Sequence, residues 1–178
     1  ERADVELFGS ENLSTSRRIV GLFEQAHKGT LYFDEICDLP METQGKIVRA
    51  VTEQRFRRIG GNKEVSVDVR VISASSRDLA EEIRAGRLRE DLYYRLGVVP
   101  LTMPPLADRR DDIPHLARHF VDMVARRTGL SRVKLGDEVL AAMQGYHWPG
   151  NVRQMLNTIE NMVIMAPPDR SQPIGLDL

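Results

Sequence analysis

Asp34 and Glu35 stand side by side at the end of the apolar run Thr30-Leu31-Tyr32-Phe33. A short run of this kind reads as a buried parallel strand. Ligands of open α/β sheets collect just beyond the carboxyl ends of such strands. Two carboxylates placed there suit a cation bound to phosphate oxygens and the positioning of an attacking water. The same dipeptide could equally be a solvated turn after a core strand, so its neighbours decide. Cys37, two residues on, reads as a small space-filler rather than a nucleophile.

The elements that must position this pair can be read from periodicity. A polar stretch from Ser10 to Ser16, followed by Arg17-Arg18, reads as an exposed loop. After the strand ending at Phe33, a helix is expected to open near Asp38-Leu39-Pro40, with Ile47, Val48 and Val51 as its apolar stripe. Arg55 to Ile59 alternates and meets Gly60-Gly61-Asn62, which suits a hairpin loop. The return run from Val65 to Ile72 is expected to continue from the hairpin arm into a buried strand ending at Ala74-Ser75-Ser76. Helices follow around Leu79–Ala85 and Glu90–Leu96, and Val98 to Leu101 reads as a short strand. Beyond Pro104-Pro105 everything reads as helix: 113–124, 139–143, and Val152 to about Met165, stopped by Pro167-Pro168. An α/β portion followed by an all-helical portion is the predicted architecture.

Composition removes most other classes. At 178 residues the chain can bury one substantial core or two small ones, and 42% hydrophobic with 29% charged residues is ordinary globular composition. A net charge of −1 excludes a global nucleic-acid signal, so any such contact would need a local patch. Arg55, Arg57 and Arg58 beside Phe56 are the one candidate patch, against which a solvated strand face is the plainer reading. The single cysteine, Cys37, forbids an internal disulfide and fits a reducing compartment. No apolar run approaches membrane-spanning length, so a cytoplasmic protein without a signal peptide or membrane contact is expected.

Taken in order, Leu7-Phe8-Gly9, the strand with Asp34-Glu35, Gly60-Gly61, Val67-Asp68-Val69-Arg70-Val71-Ile72, Arg89-Glu90-Asp91-Leu92-Tyr93-Tyr94-Arg95-Leu96, Pro104-Pro105-Leu106 and Trp148-Pro149-Gly150-Asn151-Val152-Arg153 closely resemble the central AAA+ ATPase domain of bacterial sigma-54-dependent transcription activators. The resemblance implies an α/β fold: a partial AAA+ P-loop NTPase sheet over 1–105 and a C-terminal α-helical lid subdomain over 106–178. It implies ATP and Mg²⁺ as cofactors. Asp34 and Glu35 match the Walker B pair, Asp34 holding Mg²⁺ through water and Glu35 orienting the hydrolytic water. Ser75-Ser76 falls at the first sensor, with Ser76 facing nucleotide. Arg89 and Arg95 match arginine fingers, which reach the γ-phosphate held by a neighbouring subunit; a planar, permanently charged fork suits that task. With Glu90 and Asp91 alongside, the same arginines could instead form a salt-bridged helix face. Arg153 matches the second sensor, in a first turn where the helix dipole disfavours a cation unless an anion is near. Trp148, Pro149 and His147 read as packing or surface.

Three departures from the family qualify this picture. The chain has no Gly-x-x-x-x-Gly-Lys-Ser/Thr phosphate loop, so a fragment lacking the first strand and helix is expected, with weak nucleotide binding and no turnover on its own. The sigma-contacting Gly-Ala-Phe-Thr-Gly-Ala stretch is replaced by the polar residues 10–16, which argues against direct remodelling of sigma-54 RNA polymerase. Response regulators of the NtrX type share this deviation, and in them receiver and DNA-binding domains lie outside the ATPase body. Serine at position 76 stands where the family usually has asparagine, a longer side chain that both donates and accepts. The expected function is therefore the central ATPase domain of a two-component transcription regulator, acting in a self-assembled ring. The alternative is a non-hydrolysing nucleotide-sensing or oligomerisation module.

Overall fold

In a computed structural model, residues 2–12, 17–167 and 173–175 are described. The parts of the loop and terminal readings that fall on Leu13–Ser16 and Pro168 lie outside them. The chain divides into two compact units, one reaching to Leu101 and one beginning at Thr102.

In the first unit, α1 (Arg2–Phe8) runs into β1 (Ser10–Asn12) and β2 (Arg17–Ile19), which pair antiparallel. The stretch read as a plain exposed loop thus includes two laddered strands, β1 half-buried at Ser10 and Glu11 and β2 exposed. Backbone bonds do not require apolar side chains, which is why its polar composition did not reveal them. The hairpin closes against the end of α1 because Gly9 and Gly21 cross without side chains. Gly9 adopts φ +73°, and a Cβ there would stand 2.3 Å from the Ile19 carbonyl oxygen.

After α2 (Leu22–Gln25) comes β3 (Thr30–Phe33), which pairs in parallel with β6 (Arg70–Ser73) in the register Phe33↔Ser73. Neither strand is buried on both faces. Leu31 and Phe33 face the core, while Tyr32 and Ile72 are exposed. A pleated strand alternates faces, and among the described residues only one face of this pair carries a core. The reading of β3 and of Val65–Ile72 as fully buried strand is corrected accordingly. That return run also breaks in two: β5 (Glu64–Ser66) pairs with β4 (Arg55–Arg57), residues 67–69 turn Val67 and Val69 inward, and β6 then joins the other sheet.

A 3₁₀ turn (Ile36–Asp38) leads to α3 (Met41–Glu53), with Pro40 at its N-cap. Later, α4 (Leu79–Arg84) and α5 (Glu90–Leu96) complete the unit. The predicted strand at Val98–Leu101 does not form; the segment bends and Val98, Val99 and Leu101 are exposed. Valine favours strands only where a ladder partner and a packed face exist, and here neither is supplied by the described residues. The core is built on Phe8, Phe23, Phe33, Ile47, Ala50 and Leu92.

The second unit is helical: α6 (Ile113–Thr128), α7 (Asp137–Gly145) and α8 (Asn151–Met165). Pro114 opens α6, and Gly129 closes it with φ 70°. Leu106, Ile113, Val124, Met155, Ile159 and Val163 are fully buried between these helices. Trp148 is also buried. Its indole N–H donates to the Met143 carbonyl at 2.7 Å, and Asn151 accepts from the Leu106 amide at 2.7 Å. The Trp-Pro-Gly-Asn turn is therefore a structural corner, and His147 beside it is exposed. No described helix is long and apolar enough to cross a membrane.

Candidate functional site

The site grows from the carboxyl end of β3. Phe33 is anchored in the core, so Asp34 is the first residue past the sheet and is exposed. Glu35 then takes a left-handed conformation, φ 49° and ψ 59°. For a residue with a Cβ this costs about 1–2 kcal/mol, so surrounding bonds must hold it. They do. The Ala74 amide donates to the Phe33 carbonyl at 2.8 Å and the Ile36 amide to the Ala74 carbonyl at 3.2 Å. Both Glu35 carboxylate oxygens accept from the Ser76 amide, at 3.1 Å each. Hydrogen bonds from Ser76, hydroxyl first and then amide, hold the Glu35 carboxyl below its ordinary range. The pair is therefore an ionised carboxylate in a fixed orientation beside a second, exposed carboxylate. The Tyr32 hydroxyl donates to Asp34 at 3.3 Å.

No group of three or more His, Cys, Asp or Glu able to hold a metal occurs among the described residues. Two adjacent carboxylates suit Mg²⁺ all the same, because that ion keeps several waters and takes one or two carboxylates together with phosphate oxygens. Cys37 is buried, its sulfur 3.7 Å from the Ser75 hydroxyl, in keeping with a packing role.

The loop after β6 is braced from below. Arg77 pairs with Asp38 and, at 3.3 Å, with the buried Glu82. Glu82 also accepts from Arg87 at 2.6 and 2.9 Å. Arg87 first, against an opposing burial effect and with Arg77 adding to it, holds the Glu82 carboxyl down at about 2. A depressed carboxylate contributes stability above its ordinary value of 4.5 that is lost as pH falls through the folded value. Thermal unfolding midpoints measured across that window should fall with acidification, and Glu82→Gln should flatten the fall while lowering the neutral-pH midpoint. Parallel pH profiles for both proteins would exclude this brace.

Arg89 is the N-cap of α5, and its guanidinium forms a two-point pair with Asp91 at 2.8 and 2.9 Å. Arg95, exposed on the same helix, donates to the Val51 carbonyl at 3.3 Å. Arg153 is exposed in the first turn of α8, in the second unit. The structure thus brings Asp34, Glu35 and Ser76 together and sets Arg89 and Arg95 on one short helix.

Sequence reasoning missed three features. Gln44 is fully buried and bonds three backbone groups; a polar residue three before Ile47 on the apolar stripe was the available signal. The Arg77–Glu82–Arg87 network carried no local signal. Arg58, read as part of a solvated strand face, is instead buried, bonding Glu24 at 2.8 and 3.2 Å and Glu11 at 3.5 Å. A guanidinium can be buried when carboxylates neutralise it. Arg55 and Arg57 remain exposed and face Glu64, so no unopposed basic patch remains on this hairpin.

An acid pair at the ends of parallel strands, followed by a helical unit, is the arrangement of an AAA+ core and lid. Residues 3–102 match the sigma-54 interaction domain and residues 107–177 match the AAA+ ATPase lid domain; the chain belongs to the sigma-54 interaction domain family. The nitrogen assimilation regulatory protein NtrX of Azorhizobium caulinodans is 52% identical over 95% of this chain and 37% of its own length. The response regulator PilR of Pseudomonas aeruginosa is 43% identical over 100% of this chain and 41% of its own. The crystal structure of NtrX from Brucella abortus superimposes with a TM-score of 0.92 at 44% identity, covering 99% of this chain and 41% of that one. Further structures of that protein are described as complexes with ADP and with ATP. The chain therefore spans about two fifths of the relatives it matches, and the α/β AAA+ reading with a helical lid holds.

Proposed function

We propose that this chain supplies the hydrolytic edge of an ATP site in the central domain of a bacterial two-component transcription regulator, working in a ring of like subunits. The observation that carries the proposal is Glu35: a strained, ionised carboxylate beside exposed Asp34 at the ends of two parallel strands, oriented by Ser76. The nucleotide-bound crystal structures of the Brucella relative support ATP as the ligand.

In this reading residues 1–105 form the core and 106–178 the lid. Asp34 holds Mg²⁺ through water; when bound, the ion neutralises charge on the phosphate oxygens. Glu35 orients the attacking water, and Ser76 fixes Glu35, which is the work a shorter side chain can do at the first sensor. Arg153, in the lid, is the second-sensor residue of this reading. Arg89 and Arg95 reach the γ-phosphate of the next subunit, for which Arg89 must leave Asp91. Positioning and charge neutralisation of this kind make up most of phosphoryl-transfer catalysis. The 178 residues contain no phosphate loop, so the chain alone binds nucleotide weakly and does not turn it over. The family match is to a sigma-54 interaction domain, and against it stands the polar stretch 10–16, which has no glycine-flanked phenylalanine; that departure argues against direct remodelling of sigma-54 RNA polymerase, and DNA is met through residues outside this chain.

A second reading, a nucleotide-responsive or oligomerisation module without hydrolysis, is favoured by one observation: Arg89 is held by its own Asp91. A mixing experiment with the full-length gene product separates the two. Arg89→Ala and Glu35→Gln should each lower ATP turnover, the finger variant by about 10³–10⁵-fold. Mixed together, each supplies what the other lacks and turnover returns. A mixture as inactive as its components would count against intersubunit fingers.

A further inference from the structure

We propose that Gln44 is a positioning residue for Arg89, joining the loop that leaves the Asp34-Glu35 pair to the finger that would serve the neighbouring subunit. The proposal rests on the finger reading above. Gln44 lies on α3 with no exposed surface. Its amide nitrogen donates to the Leu39 carbonyl and to the Arg87 carbonyl, both at 2.8 Å, and its amide oxygen accepts from the Arg89 backbone N–H at 2.9 Å. Both amide protons and one acceptor position are used, which is nearly the whole bonding capacity of the group.

The three partners are not equivalent. Leu39 ends the 3₁₀ turn that begins one residue after Glu35, and its own amide donates to Ile36 at 3.3 Å. Arg87 and Arg89 belong to the segment entering α5, where Arg89 is the N-cap. One buried side chain therefore ties the exit of the acid pair to the backbone of the finger. Burial makes the tie stiff, because moving either segment strands an amide group without water to replace its partner. The next residue completes the seat. The Arg89 guanidinium lies over Gly45, where an added Cβ would be 3.5 Å from its terminal nitrogen. That distance is ordinary contact for a Cβ, and the atoms of a longer side chain beyond it would compete with the guanidinium for the same space.

A shift in the acid-pair loop is thus passed to Arg89 inside one subunit, and through Arg89 to the ATP site of the next. Coupling through one buried side chain is mutual, so the acid-pair loop and Arg89 constrain each other within the subunit, and the finger carries that constraint to the neighbour's site.

The test uses the full-length gene product and complementation. Gln44→Leu removes all three bonds at similar volume and should lower turnover about 10²-fold, the cost of a misplaced catalytic group. Mixed in equal amounts with Glu35→Gln, the Gln44→Leu subunits still carry Glu35 with its bonds from the Ser76 amide and receive well-seated fingers. Random assortment around a head-to-tail ring then restores about one site in four. Gln44→Asn, which keeps the amide but draws it back by one methylene, should behave alike and covers the case in which Gln44→Leu does not fold; Gly45→Leu, which removes no buried hydrogen bond, tests the seat of the guanidinium alone. Arg89→Ala mixed with Glu35→Gln runs alongside. Recovery in that control without recovery for either Gln44 variant overturns the role of Gln44. No recovery in the control overturns the finger reading, and the proposal with it.

Discussion

Glu35→Gln is expected to abolish ATP turnover by the full-length gene product, by about 10²–10⁴-fold, while leaving ATP bound. Glutamine keeps the length of the side chain and can still accept from the Ser76 amide through its carbonyl oxygen, so the left-handed turn and the loop after β6 should survive. What disappears is the second anionic oxygen, the one able to hold and polarise a water. Nucleotide affinity rests on contacts to the phosphates and base, so a fluorescent ATP analogue should bind the variant within a few-fold of the parent (about the margin that a uniform-binding contact would exceed). Loss of binding together with turnover would place Glu35 in the fold rather than in the chemistry. Turnover unchanged by the substitution would leave the chain as a switch or scaffold.

Phe23→Ala should cost about 3–5 kcal/mol of stability, the largest single-site loss expected in the first unit. Phe23 is 1% exposed. Its ring stacks on Phe8 at 5.4 Å with an interplanar angle of 8° and stands 5.9 Å from Phe56 and 6.1 Å from Phe33. Truncation leaves a void among three rings that cannot all close on it, so transfer and cavity effects add. The consequence reaches function, because Phe33 is the last core residue before Asp34. Denaturant unfolding of the chain should show the midpoint falling with little change in slope. A loss below about 1 kcal/mol would mean the cluster repacks freely, contrary to close packing of these rings.

Glu35→Gln removes a charge at the reacting edge, next to Asp34. Phe23→Ala acts on the scaffold that aims both carboxylates, and the aromatic cluster draws its members from α1, α2, β3 and β4. The relation between scaffold and chemistry is closest at Ser76. Its amide meets Glu35 across an interval of 41 residues, closed by the pairing of β3 with β6.

The sequence by itself determined the helices from α3 onward and the chemical inventory; α1 and α2, of seven and four residues, are too short to show apolar spacing. Apolar spacing over 113–124 and over Val152 to Met165, with Pro167 after the second, placed α6 and α8 closely, because helix bonds are local and leave a local record. Asp34, Glu35, Arg89 and Arg95 were visible as residue types at the ends of such elements. The tertiary structure alone decided what depends on partners distant along the chain. Val98–Leu101 failed as a strand for want of a ladder, and β6 left the hairpin to join β3. Arg58 went inside because Glu11 and Glu24 came to meet it. Gln44 became a three-way tie only when the segments around Leu39, Arg87 and Arg89 converged on α3. Hydrogen bonds and ion pairs of this kind have no periodicity; they exist only once packing has excluded water and brought donor to acceptor.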